Sequence, residues 1–348
     1  MHTRARIAAL AATTSLALTL AACGGDGTQT DAAGADPTAK PTLTLYNAQH
    51  EDLMLELTAG FTKATGIKVK MRNGDDFELA NQLVQEGSAS PADVFVTENS
   101  PAMTLVDSKG LFAKIDQATL GQVAGQFSPS DGEWTGFAAR STVLAYNTKN
   151  VPEAQLPASI MDLTQPRWKG KIGFSPSGAD FQAIVSAVVD VEGEAAAKEW
   201  LAGLKANGKI YQGNTTVMKA VNSGEIDAGV IYHYYWYKDQ AESGANSDST
   251  RLHFFGNEDA GAFLSVSGAG VLKSSKNQAA AQEFVKYLNG EGGQKVLAAS
   301  KALEYSINSA VPPNPALKPI TELEPPQIEL SSLNGPKVIE LMQQAGLL

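Results

Sequence analysis

Cysteine is almost missing: Cys23 is the only one in 348 residues. An intramolecular disulfide is therefore excluded, as are zinc sites on two or more thiolates and thiolate-bound iron–sulfur clusters. Histidine is scarce, with His2, His50, His233 and His253 only. A metal site in this chain must draw most of its ligands from oxygen. Positive charge is in deficit, 27 Lys and Arg against 37 Asp and Glu, for a formal charge of −10. The basic footprint of a nucleic-acid-binding protein is absent. After the first two dozen residues no run of 18 apolar residues occurs, so no later segment reads as a membrane span. Several enzyme fingerprints are missing too. No P-loop or kinase signature occurs, and Gly268-Ala-Gly270 lacks the third glycine of a dinucleotide-binding turn. Gly173-Phe-Ser-Pro-Ser177 is not a hydrolase elbow. Met54 stands where a zinc protease beginning His50-Glu51 needs its second histidine.

What is present begins with an address. Arg4 and Arg6 precede an apolar stretch from Ile7 to Leu20, the pattern of a secretory signal over residues 1–22. Leu20-Ala-Ala-Cys23 resembles the lipobox of bacterial lipoproteins, which implies lipidation of Cys23. Two acyl chains hold a protein stably on a membrane. Residues 23–41 are rich in Gly, Ala, Asp, Thr and Pro without an apolar period and read as a flexible tether. The expected location is the outer face of the cytoplasmic membrane, with the lipid as the only membrane contact.

From residue 42 on, short β-rich runs alternate with helical windows, the pattern of an α/β fold. Strands are expected at Leu43–Tyr46, Ile67–Met71, Asp93–Val96, Thr142–Tyr146, Ile172–Phe174, Ile226–Ile231 and Gly268–Lys273. Four of them run into polar or Gly-containing turns that open helices: Asn47-Ala-Gln-His50, Thr97-Glu-Asn99, Ser175-Pro-Ser-Gly178 and Tyr232-His-Tyr-Tyr235. Ligands of open α/β sheets bind beyond the carboxyl ends of strands, so these turns are the places to look. Each has a plain structural reading as well. His50 alone reads as a solvated or satisfied side chain. Glu98 reads as a carboxylate in the first turn of a helix, and Ser177 as a cap. Tyr232 to Tyr237 holds five aromatic rings and an imidazole. For that run, residue type leaves core packing and a ligand site equally open.

Taken together, these residues resemble one family, the ferric-ion-binding substrate-binding proteins of bacterial ABC importers, often called bacterial transferrins. The resemblance is carried by Tyr46-Asn-Ala-Gln-His50, Ala64-Thr-Gly-Ile-Lys-Val-Lys70, Ser90-Pro-Ala-Asp-Val-Phe95 with Glu98, Ser177-Gly-Ala179, Asn222-Ser-Gly-Glu-Ile-Asp227, Tyr234-Tyr-Trp236 and Ser267-Gly-Ala-Gly-Val-Leu-Lys-Ser274, in the family's order and spacing. It implies a two-lobed type II periplasmic-binding-protein fold with a hinge and an interlobe cleft. It places His50, Glu98, Tyr234 and Tyr235 as ligands of Fe³⁺. Ser177, Gly178, Ala179, Asn99 and Asn214 would line a pocket for a synergistic anion, phosphate or carbonate. Lobe boundaries are expected at 42–141 with 265–312, and 142–264 with 313–348. The partners implied are a cognate ABC permease and its ATPase, and the receptor is expected to be a monomer and no enzyme.

Elementary chemistry agrees with such a ligand set. Fe³⁺ prefers hard anionic oxygen, and a trivalent ion can strip the proton of a phenol whose ordinary pKa is about 10. Two phenolates and one carboxylate match its charge, neutral His50 adds a nitrogen, and an anion and a water complete six positions. The chain departs from the family at two points. Tyr232-His233 stands where Asn-Asn is frequent, and Ala302-Leu303 precedes Glu304-Tyr305 where an Arg is frequent. Two other readings remain at this stage. One is a binding protein of the same fold whose rings stack on an organic cation, a sugar or an oxyanion. The other is a secreted metal-dependent hydrolase, for which no general base is evident beyond the metal ligands.

Overall fold

Leu53, Met54, Leu57 and Phe61 recur at helical spacing, and all four are buried. They lay helix α1 (Glu51–Thr65) into one core with Leu43 and Leu45 of strand β1 (Thr42–Asn47). Glu51 and Asp52 in the first turn and Lys63 in the last suit the helix dipole. Gly66 ends the helix at φ 76, a left-handed turn that a side chain would strain, and its N–H returns to the Thr62 carbonyl. In the computed structural model, residues 40–348 are described. The expected signal segment, Cys23 and most of the tether lie outside the described residues.

The first half continues with β2 (Lys68–Asn73), α2 (Asp76–Glu86), β3 (Val94–Val96), α3 (Ser100–Asp107), the single turn α4 (Gln117–Leu120) and the long β4 (Thr135–Asn147). Then come β5 (Ile172–Phe174), α5 (Ala179–Glu192), α6 (Glu194–Asn207), β6 (Gly208–Ile210), α7 (Asn214–Ser223), β7 (Ala228–Tyr232), α8 (His233–Glu242) and β8 (Thr250–His253). The chain ends through β9 (Leu264–Val271), α9 (Gln278–Asn289), α10 (Glu291–Ala299), β10 (Tyr305–Ser306) and α11 (Gly335–Gln344). Strands lie in the order β2-β1-β3-β9-β4-β7-β5-β6, with β8 and β10 also against β4. β1 runs parallel to β2 and β3, β5 runs parallel to β6 and β7, and β9 is antiparallel to both β3 and β4.

β4 joins two lobes. Its Thr135–Ser141 half pairs with β9, while Thr142–Tyr146 pairs with β7. The change falls between Ser141 and Thr142, and Thr142 N–H donates to the Phe263 carbonyl at 3.0 Å. The chain thus crosses between lobes on two adjacent strands, the construction of a hinge. Each sheet half is covered on both faces. In the first lobe Leu57, Phe61, Phe284 and Leu288 fill one side, and Leu79, Leu83, Met103 and Trp134 the other. In the second lobe Phe181, Val185, Trp200 and Leu204 fill one side, and Val217, Val221 and Ile231 the other.

Three details differ from the sequence reading. β4 begins at Thr135 rather than Thr142, because all thirteen residues are buried and a strand covered on both faces shows no alternation. β6, β8 and β10 are too short and too polar to announce themselves. The tail after residue 312 packs on both sides: Leu317, Leu323, Leu330 and Leu333 join the core of Phe127 and Val266, whereas Val338, Leu341 and Met342 join that of Val185 and Trp200. No helix among the described residues is long and apolar enough to cross a membrane.

Candidate metal centre

All four turns singled out in the sequence lie beyond the carboxyl ends of strands and face one interlobe cleft. After β1, Asn47 ties the turn by donating to the Gln49 carbonyl at 2.8 Å and accepting from Gln49 N–H at 3.1 Å. This delivers His50 to the first residue before α1. After β3, the Glu98 and Asn99 N–H groups donate to the Asp76 carboxylate at 2.8 and 2.9 Å. After β5, Ser175-Pro-Ser-Gly178 leads into α5, and after β7 the chain enters α8 directly at His233. The aromatic run therefore divides. Tyr232 ends the strand, and Tyr234 and Tyr235 occupy the first turn of a helix, where neighbouring side chains share the cleft instead of pointing to opposite faces.

The four residues expected to hold iron are brought together. Tyr234 Oη, from the second lobe, donates to Glu98 Oε1 of the first at 3.1 Å. His50 Nε2 lies 3.8 Å from that same oxygen, and the His50 and Tyr234 rings meet edge to face at 5.3 Å. Tyr235 stacks on Tyr234 at 4.2 Å and donates to Asp180 Oδ2 at 3.1 Å. Among the described residues no three His, Cys, Asp or Glu form a metal-binding group by themselves. A metal here depends on the tyrosines.

Ser177, Gly178, Ala179 and Asn214 line a cleft cavity of about 490 Å³ together with Glu98, Asp180 and Tyr235. Ser177 is exposed and bonds only Gln212, at 3.3 Å, and the capping position of α5 is Gly178 rather than Ser177. Asn99 and Asn214 do not point their amides into free space. Both donate to the carboxylate of Asp180, at 3.2 and 2.8 Å. Asp180 is the residue that sequence reasoning missed. Its signal was an acidic side chain right after the Ser-Pro-Ser-Gly turn, which reads equally well as a helix first-turn charge.

Two further residues were missed, Arg140 and Glu304, both fully enclosed. Arg140 Nη1 lies 3.2 Å from Glu98 Oε1 and 3.8 Å from Glu304 Oε2. Glu304 Oε1 lies 3.3 Å from His50 Nδ1. Burial raises Glu304, but the Arg140 charge and the His50 contact prevail and hold it below the usual carboxylate range. Burial, reinforced by Asp180, pushes Glu98 up to about 8 against the pull of Arg140 and His50. Burial likewise brings Asp76 to about 7. For His50 burial acts downward, yet the hydrogen bond to Glu304 and the charge of Glu98 leave it above its ordinary value. Burial, then Asp180 and Glu98, drive Tyr234 and Tyr235 far above 10. A metal-free cleft thus keeps its protons, and only a strong cation can displace them. His233 has no such role. Burial lowers it to about 3, its Nδ1 accepts from Ser141 N–H at 3.1 Å, and its ring stacks on Tyr305 at 4.6 Å.

Residues 89–322 match the family profile described as bacterial extracellular solute-binding protein. The chain is 55% identical over 306 residues to the Fe(3+)-binding periplasmic protein of Serratia marcescens, covering 88% of this chain and 90% of that one. The chain belongs to the family of bacterial ferric-ion-binding solute-binding proteins. Among solved structures it superimposes on iron-bound HitA from Pseudomonas aeruginosa with a TM-score of 0.82 and 45% identity, over 88% of this chain and 99% of that one. A Trichodesmium protein (IdiA, FutA) in complex with iron and citrate matches with a TM-score of 0.77 and 27% identity, over 88% of this chain and all of the other. For this solute-binding protein the match covers both lobes, and with them the cleft described above.

Proposed function

We propose that this solute-binding protein is an extracytoplasmic receptor for Fe³⁺, anchored through lipidated Cys23, that delivers iron to an ABC permease and its ATPase. His50 Nε2, the Glu98 carboxylate and the Tyr234 and Tyr235 phenolates are its ligands. One observation carries this reading: a phenol of one lobe, a carboxylate and an imidazole of the other meet within 3.8 Å of a single oxygen, Glu98 Oε1. Such a set is hard, anionic and able to close the cleft when a cation binds between its halves. The lobes are taken to divide at the Ser141–Thr142 and Phe263–Leu264 crossings.

A fifth position falls to an anion or to Asp180. The anion reading rests on Ser177, Gly178 and Ala179 at the start of α5, where free N–H groups favour negative charge, with phosphate or carbonate as the guest. The position of Asp180 favours the protein's own carboxylate, since Asn99 and Asn214 already bond to it. An organic ligand stacked on the aromatic run is less well served, because Tyr234 is buried and its ring is covered by Tyr235.

The test is a visible spectrum of residues 40–348 titrated with ferric citrate at neutral pH, with and without phosphate. A saturating tyrosinate-to-iron charge-transfer band at one iron per chain supports the receptor. A folded protein without the band sinks it. A band that forms without phosphate shows that phosphate is not required at the fifth position.

A further inference from the structure

We propose that Arg140 and Glu304 are positioning residues for the ferric site: together they fix the His50 imidazole with its proton on Nδ1, leaving the Nε2 lone pair turned toward Glu98 and Tyr234. The inference rests on the ferric reading above and adds to it how the one neutral ligand is aimed.

Both oxygens of Glu304 are engaged. Oε2 accepts from Gln49 Nε2 at 3.2 Å and faces Arg140 at 3.8 Å, while Oε1 faces His50 Nδ1 at 3.3 Å. A carboxylate only accepts, so the His50 contact requires the ring proton on Nδ1. The other nitrogen is then free to bind a metal, an arrangement in which outer partners set the tautomer and direction of a ligand. Gln49 closes the assembly. Its carbonyl oxygen accepts from the His50 backbone N–H at 2.6 Å, and its amide also reaches Ser267 Oγ at 2.7 Å. Leu303 supports the same end. It is a buried leucine held at φ 56, and this unusual backbone turns Glu304 inward.

Arg140 acts as a charge more than as a hydrogen-bond donor. None of its three nitrogens makes a hydrogen bond of good geometry, yet the guanidinium lies between the carboxylates of Glu98 and Glu304 and over the Tyr232 ring at 5.7 Å. Without it, the enclosed Glu304 carboxylate would lose the cation beside it that helps hold it against His50. Arg140 stands one residue before the point where β4 passes from lobe to lobe. Leu303 precedes Glu304, and the cation beside this carboxylate comes instead from β4.

The experiment is long-range ¹H–¹⁵N NMR on metal-free protein with labelled histidine, followed by ferric titration and measurement of the iron reduction potential. Wild type is expected to show His50 as the Nδ1–H tautomer. Glu304→Gln can donate or accept, so it should release the tautomer and weaken iron binding by roughly 10–100-fold. It removes a negative charge and should raise the potential. Arg140→Met removes a positive one and should lower it. Arg140→Lys should keep the wild-type tautomer and most of the potential. An Nε2–H tautomer in the wild type overturns the proposal even if the variants fail to fold. So does a folded Glu304→Gln with unchanged tautomer and affinity. Absence of the charge-transfer band in wild type would instead overturn the ferric reading, and the tautomer result would stand apart from it.

Discussion

The two walls of the cleft are built on different principles. The first-lobe wall is charged and wired: Glu98 and Glu304 flank Arg140, and His50 is tied to Glu304. The second-lobe wall is mostly neutral: two stacked phenols stand beside one carboxylate, Asp180, that three donors satisfy. On the proposed ligand set, the first-lobe groups are oriented in advance by Arg140 and Glu304, and Glu98 and both phenols must lose protons before a metal is held. The contrast teaches that closing this cleft on a metal is also a deprotonation, so affinity, pH and lobe closure are linked.

The comparison can be broken most directly on the neutral wall. Tyr234→Phe removes a proposed phenolate ligand while keeping the ring that packs against Tyr235. Iron binding should fall by more than the roughly 10–100-fold typical of an outer partner, and the charge-transfer band should shift or vanish. A Tyr234→Phe protein with the wild-type band and affinity would end the distinction between the walls. Asp180→Asn comes next. It leaves the amides of Asn99 and Asn214 without their carboxylate, so ferric affinity should drop by roughly 10–100-fold in anion-free buffer and recover with phosphate. Equal titration curves for variant and wild type without phosphate would show that Asp180 does not hold that position.

A third outcome tests the first-lobe wall by pH in the metal-free protein. Glu98 at about 8 and Asp76 at about 7 hold protons more tightly in the fold than in the unfolded chain. Their contribution to stability is full below about pH 4 and is lost as pH rises through 7 and 8. Glu304, held low by Arg140, has the opposite sign and loses its contribution as pH falls. Thermal melts of apo protein should therefore decline from pH 5 to pH 8, and Glu98→Gln should flatten that slope. Melts of equal steepness in both proteins would show Glu98 to be ordinary. The smallest effect is expected at Ser177→Ala. The side chain is exposed with one long hydrogen bond, so stability should change by no more than about 0.5 kcal/mol. Ferric affinity without phosphate should stay as it is. A large loss there would move the anion back to the start of α5.

Much of this molecule can be read from the chain alone, for identifiable reasons. His50, Glu98 and Tyr234-Tyr235 each follow a short buried strand, and strand-to-helix turns announce themselves through polar residues after an apolar run. The β4 strand did not announce its first half, because Thr135 to Ser141 is buried on both faces and has no period to detect. Arg140 was invisible for the same reason, being a charge inside a strand that reads as irregular. Asp180 and Glu304 carried no local mark, since an acidic residue opening a helix, or preceding a two-residue strand, is ordinary until its partners are known.

Sequence alone settled most of the longer elements and the kinds of donor available: one cysteine, few histidines and a tyrosine pair at a strand end leave oxygen as the main donor. Local propensity and residue chemistry act over a few neighbours, and that range suffices for such conclusions. Only the tertiary structure decided which acids face which cations. Asp180 meets Asn99 across 81 positions and Glu304 meets His50 across 254. Contacts that far apart in the chain are set by how β4 and β9 cross between the lobes, and no local pattern encodes that crossing.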